Sequence, residues 1–233
     1  METIELAAPD GSVEALIARP SGAGPWPGVV VLHDAFGFGT DVRTHLTTLA
    51  ERGYLAIAPN LFARNKVACI NAVYRALVFS AEGPQVRDIL AARDHLAADP
   101  DCTRRIAVIG FCMGGGFALL VAPKGFDAAA PFYPTLFADY RRFLEGSCPV
   151  VASFARRDPM LIGKPAKLER ALTEFGVEHD IKTYDTVTHG FANITPAEPI
   201  LRVTGLGHND EAAADAWQRI FTFFDRHLSA AAS

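Results

Sequence analysis

Ile106-Ala107-Val108-Ile109-Gly110-Phe111-Cys112-Met113-Gly114-Gly115-Gly116 is the stretch that decides how the rest of the chain is read. Its first four residues are apolar and predict a buried strand. Gly110-x-Cys112-x-Gly114 then predicts a tight turn, and a helix follows over about 113–121. A sharp strand-to-helix turn forces the residue at its apex into a strained backbone conformation. Side chains on the flanking residues would collide there, so glycine is the residue that fits. The apex is a cysteine, whose sulfur is lifted above the sheet at the positive end of a helix. A thiolate is stabilised in that field.

Working outward, apolar runs alternate with helical patterns. Residues 2–6 and 12–19 read as two short strands around Pro9-Asp10-Gly11. Val29-Val30-Val31-Leu32 is the uninterrupted apolar run of a buried parallel strand. A helix is expected over about 40–52, with Gly53 as its cap, and a strand at 54–58. Residues 59–83 read as a loop and short helix over the C-terminal edge of the sheet. A helix follows at 84–98, with Val86, Ile89, Leu90 and Leu96 as its apolar face. Beyond the strand at 105–109 and its helix come strands at 127–132, 148–154 and 178–184, and helices at 163–175 and 209–228. Strands alternating with helices imply a mostly parallel sheet covered on both faces. No repeat, low-complexity tract or linker divides the chain, which reads as one domain over residues 1–233.

The 233 residues are half hydrophobic, and 22 basic against 26 acidic side chains give a formal net charge of −4. No basic stripe stands out, which argues against nucleic acid as a partner. No run approaches the ~18 apolar residues of a membrane helix. Met1-Glu2-Thr3-Ile4-Glu5 lacks a basic start followed by an apolar run, so no secretory signal is expected. Cys69, Cys102, Cys112 and Cys148 form no Cys-x-x-Cys pair and no zinc spacing. The expectation is a cytoplasmic protein with reduced thiols and no metal.

A thiol nucleophile needs a base, and the base an orienting group. In α/β-hydrolases these follow in chain order as nucleophile, acid and histidine, each just past the C-terminal end of a strand. Asp158 follows the strand Pro149-Val150-Val151-Ala152-Ser153-Phe154, and His189 follows the strand ending near Tyr184. His189 is expected to take the Cys112 proton and later activate water, and Asp158 to fix the imidazole tautomer. Asp185 is a rival acid, but lies too close to His189 in sequence. His208 is the rival base. His33 comes too early in the chain, and His45, His95, His179 and His227 lie in predicted helices or a strand, where they are expected to face solvent. The oxyanion donors are assigned to the N–H of Met113, after the nucleophile, and of Ala35, in the loop after the early strand. A phosphate-cradling reading of the glycines finds neither Gly-x-Gly-x-x-Gly nor Gly-Lys-Ser/Thr to support it.

With these residues in hand, the chain resembles the dienelactone hydrolase family, the cysteine branch of the α/β-hydrolases. The resemblance runs over nearly the whole length. It rests on Asp34-Ala35-Phe36-Gly37, Pro59-Asn60-Leu61-Phe62-Ala63-Arg64, Gly110-Phe111-Cys112-Met113-Gly114-Gly115, Asp158, and His189-Gly190-Phe191-Ala192. It implies an α/β-hydrolase fold and hydrolysis of small esters or lactones by a Cys-His-Asp triad. It also implies no cofactor, a small-molecule substrate as the partner, and a compact monomer, with a dimer as the alternative. By the same resemblance Asp34 gates the thiol, and Phe36, Tyr74, Phe191 and Asn193 are candidate substrate contacts.

Three departures stand out. The dienelactone hydrolases that the chain resembles have glutamate where it has Asp34. They also hold the substrate carboxylate with two arginines, at the positions of Asn193 and near Ile70. Losing both removes the fork that pairs a carboxylate bidentately. The mechanism is thus better specified than the substrate. Thiolates expel alkoxides poorly, so activated esters, enol lactones or thioesters are expected over alkyl esters and amides. A thioesterase or aryl esterase, a non-catalytic binding protein on the same fold, and a redox thiol protein are the competing readings.

Overall fold

The computed structural model describes residues 1–63, 82–136, 138–193 and 207–229. Its centre is an eight-stranded sheet: β1 (Glu2–Leu6), β2 (Val13–Ala18), β3 (Trp26–Leu32), β4 (Leu55–Pro59), β5 (Cys102–Phe111), β6 (Ala128–Phe132), β7 (Val150–Ala155) and β8 (His179–Tyr184). The spatial order is β1-β2-β4-β3-β5-β6-β7-β8. β1 and β2 form an antiparallel hairpin and β2 pairs antiparallel with β4, while every pair from β4 through β8 is parallel.

β4, β6 and β7 are buried at every position because helices cover the sheet, while β8 at its edge is mostly half-buried. The described helices are α1 (Thr40–Glu51), α2 (Pro84–Ala98), α3 (Met113–Val121), α4 (Lys164–Glu174) and α5 (Asp210–Leu228). α3 is buried at every position. α5 is instead amphipathic, turning Ala212, Ala216, Ile220, Phe223, Phe224 and Leu228 to the core. The Asn209 side chain caps its start by accepting from the Ala212 N–H at 2.9 Å.

The chain winds in both directions from β3, so β3 and β5 are neighbours although α1, β4 and α2 lie between them in sequence. Ligands bind at the carboxyl ends of strands beside such a switch point. The loop after β3 carries Asp34 and Ala35, and the turn after β5 carries Cys112. The central strands are longer than expected. β5 starts at Cys102, which pairs with Trp26, and the register shifts between Trp26 and Gly28. Arg104, at φ 66°, lies in the same irregular stretch. The charged Arg104-Arg105 pair hides this extension from a search for apolar runs.

Candidate active site

Cys112 sits at φ 54° and ψ −112°, a left-handed conformation costly for any residue with a Cβ. Its surroundings enforce it. A Cβ on Gly110 would lie 2.1 Å from the Gly114 carbonyl oxygen, and one on Gly114 would lie 2.3 Å from that of Leu32. A Cβ on Gly115 would come within 2.6 Å of the Phe132 oxygen. The first turn of α3 therefore lies directly on the backbones of β3 and β6. The Cys112 N–H donates to the Phe132 carbonyl at 3.1 Å, and the Cys112 carbonyl accepts from Thr135 N–H at 2.9 Å.

The loops after β7 and β8 bring Asp158 and His189 together. They continue the strand pairing, with Arg156 N–H donating to Tyr184 O and Arg157 N–H to Val187 O. Asp158 is buried, and its two oxygens divide their work. Oδ1 accepts from the Met160 N–H at 3.0 Å, and Oδ2 accepts from His189 Nδ1 at 2.5 Å. That bond puts the proton of a neutral His189 on Nδ1 and leaves Nε2 as the base. Nε2 is buried and has no hydrogen-bond partner among the described residues. Burial opposes an imidazolium here, but the hydrogen bond to Asp158, the nearby Cys112 sulfur and the charges of both outweigh it, and His189 is pushed up to about 9. Tyr133 braces the ring, its centroid 4.9 Å away.

Asp34 is buried, and both its oxygens are engaged away from the sulfur. Oδ1 accepts from the Phe36 N–H at 2.8 Å, and Oδ2 accepts from Asn193 Nδ2 at 2.8 Å. The hydrogen-bond contact of Cys112 Sγ is instead with Thr135 Oγ1, at 3.5 Å. The expected gating contact from Asp34 to the thiol is therefore not made, because the shorter acid is held by the amide of Asn193. Asn193 in turn accepts from His45 Nε2 at 3.2 Å and is buried, so it tethers Asp34 rather than lining a substrate pocket. Phe191 is also corrected. Its ring has no exposed surface and packs on Phe132, Tyr133 and Tyr184. Phe36 is 80% exposed beside the site, an apolar ring free to meet a ligand. Tyr74, Ile70 and Arg64 lie outside the described residues.

The rivals fall elsewhere. Asp185 is an exposed partner of Arg156. His208 stands 3.2 Å from Asp210 at the start of α5. His33 is a structural tie, since Leu61 N–H donates to its Nε2 and its Nδ1 therefore donates to the Asp34 carbonyl. His45 does not face solvent as expected. It is buried and stacked on Phe111 with ring centroids 4.1 Å apart. His179 and His227 are half-buried.

Burial pushes His45 down to about 4, which makes it an acid-sensitive post. Its ordinary value is 6.5, so below that the unfolded chain takes up a proton that the folded protein refuses. Stability is therefore lost as pH falls from about 6.5 to about 4, by on the order of 3 kcal/mol. His45→Gln keeps a donor for Asn193 and should flatten this part of a Tm-against-pH curve. An unchanged slope would assign the acid lability to other groups.

Among the described residues, no group of three or more His, Cys, Asp or Glu could hold a metal ion. No described helix is long and apolar enough to cross a membrane. Cys102 and Cys148 are buried, and burial raises both thiols, Cys148 to about 12. Such thiols are poor nucleophiles at neutral pH. Cys69 lies outside the described residues. Two residues that sequence reasoning missed are Thr135 and Tyr133, on the loop after β6. The signal for them was positional, since β6 is the strand next to the nucleophile's own.

A mostly parallel sheet wound both ways from β3, with a cysteine on the turn after β5 and an Asp–His pair past β7 and β8, defines an α/β-hydrolase. The family model of the dienelactone hydrolase family matches residues 13–228, and the chain belongs to that family. It is a carboxylic ester hydrolase by that membership. It is 31% identical over 220 residues to a carboxymethylenebutenolidase of Rhodococcus opacus, covering 86% of this chain and 81% of the relative. It is 27% identical over 237 residues to the carboxymethylenebutenolidase of Pseudomonas putida, covering 95% of each. Among solved structures, a dienelactone hydrolase-like promiscuous phosphotriesterase from metagenomic libraries superposes with a TM-score of 0.77 at 22% identity. That match covers 98% of this chain and 99% of the other.

Proposed function

We propose that the protein hydrolyses small activated esters or lactones through a thioester on Cys112, with His189 as base and Asp158 as its orienting acid. The observation that carries this reading is a strained cysteine at φ 54°, on the same strand ends as a His189–Asp158 pair closed to 2.5 Å. His189 takes the Cys112 proton, and the thiolate attacks the carbonyl carbon. The developing oxyanion is received by two backbone donors. Met113 N–H is one, for as the first residue of α3 it has no helical partner. Ala35 N–H is the other, in the turn that Asp34 Oδ1 shapes by accepting from Phe36 N–H. His189 then protonates the departing alkoxide, and water activated by the same nitrogen releases the acid.

Asn193 supplies no cation for a substrate carboxylate, and its amide is already used by Asp34 and His45. A good leaving group matters more under this chemistry than an anionic handle. The named relatives are carboxymethylenebutenolidases, so a dienelactone is the lactone to try beside p-nitrophenyl acetate. The test is to quench the aryl-ester reaction early and map the acyl group by mass spectrometry. Acetyl on the Cys112 peptide is expected. Turnover with no Cys112 adduct at any time, even when His189→Ala slows deacylation, would count against the thioester. Turnover of the aryl ester but not of the dienelactone would keep the chemistry and move the substrate.

A further inference from the structure

We infer that Thr135 is a further catalytic residue, whose hydroxyl donates a hydrogen bond to the Cys112 sulfur when that sulfur is ionised. The inference rests on the reading of Cys112 as nucleophile and adds a group that this reading does not contain.

Thr135 Oγ1 lies 3.5 Å from Cys112 Sγ, a normal separation for a sulfur hydrogen bond. The backbone fixes this approach from two sides. Thr135 N–H donates to the Cys112 carbonyl at 2.9 Å, so the residue is clipped to the apex of the turn. The next carbonyl, of Leu136, accepts from Lys164 Nζ at 2.8 Å, which ties the loop to the first turn of α4. The loop leaves β6 through Tyr133, held at φ 33° with its N–H on the Ser153 carbonyl at 2.7 Å. Tyr133, Thr135 and Leu136 are thus all anchored by their backbones around one hydroxyl. A non-glycine residue held in the left-handed region is tolerated where the surroundings over-determine it, often at a functional site.

A thiolate can only accept, so the hydroxyl must donate to it; towards a protonated thiol either atom can be the donor. A bond to the charged form is the stronger of the two and favours ionisation. The titratable groups around the sulfur are His189 after β8, Tyr133 after β6 and Asp34 after β3. Burial and the charges of Cys112 and Asp34 hold Tyr133 neutral, well above the ordinary phenol range. Asp34 is occupied by Phe36 N–H and Asn193. His189 is left as the group that takes the proton, and Thr135 as the neutral donor that remains with the charge. No atom leaves Thr135 at any step. When the thioester forms, the sulfur loses its charge and the bond weakens.

The readout is alkylation of Cys112 by iodoacetamide, quantified on the Cys112 peptide, which needs no turnover. Thr135→Val keeps the shape, the β-branch and the backbone clip but removes the donor. It should slow alkylation roughly fivefold near pH 6 and leave it unchanged near pH 9. Thr135→Ser should restore the wild-type profile. A uniform slowing of Thr135→Val at every pH, or a profile superimposed on wild type, would overturn the proposal and leave Thr135 a packing residue. Failure of Thr135→Ser to rescue would do the same. Wild-type Cys112 that labels like a free thiol, without Cys112-dependent ester turnover, would overturn the nucleophile reading itself.

Discussion

Cys112→Ala is expected to lose activated-ester hydrolysis by about a thousandfold or more while remaining folded. The size follows from what is removed. Without the sulfur there is no acyl-enzyme, and what remains is the hydrolysis that binding, oxyanion donors and a base can support alone. The fold should survive because alanine relieves none of the glycine contacts that shape the turn and adds no atom to it. The Cys112 N–H and carbonyl keep their partners Phe132 and Thr135. The side-chain hydrogen bond that is lost is that of the sulfur with Thr135. Steady-state rates with p-nitrophenyl acetate, alongside a thermal melt, test both halves. Retained activity with an unchanged melt would reject Cys112 as the nucleophile.

Asp158→Asn should have the second-largest effect, a loss in kcat of the order of 10³-fold or more. The amide oxygen can still accept from Met160 N–H, so the short helical turn after β7 keeps its cap. The amide nitrogen then faces His189 Nδ1 and donates, so the proton moves to Nε2, where a lone pair is needed. The substitution also changes the pH dependence of stability. His189 is raised from 6.5 to about 9, so its contribution is complete below about 6.5 and is lost as pH rises through about 9. In Asp158→Asn much of that alkaline decline should vanish, because the carboxylate that favours the imidazolium is gone. A melt series between pH 6 and pH 10 reads this directly. Wild-type kcat in the variant would mean that His189 does not depend on Asp158 for its tautomer.

These two residues were legible in the sequence for a physical reason. A strand-to-helix turn leaves a glycine pattern, and strand ends in a parallel sheet are found by counting apolar runs. The same reasoning placed α2 and β6 almost to the residue. It missed what depends on three-dimensional neighbours. His45 looked solvent-facing because α1 is short and polar, yet its position turns inward onto Phe111. Phe191 follows the histidine in sequence, but the Gly190 turn at φ 84° sends its ring to the core. Asn193 reads as a missing arginine in one dimension and as a tether for Asp34 in three. No local sequence feature marks Tyr133 for the left-handed conformation that brings Thr135 to the sulfur.

The pairing of Leu32 with Gly110 makes β3 and β5 adjacent rungs of one ladder. The proposed oxyanion donors, Ala35 and Met113, leave from those two strand ends, so their separation is set by main-chain hydrogen bonding rather than by any side chain. Drift in the residues that face a ligand can then exchange one ester for another without loosening the reaction centre. Chemistry and selectivity are inherited on separate parts of the molecule, and the first is the harder to erode.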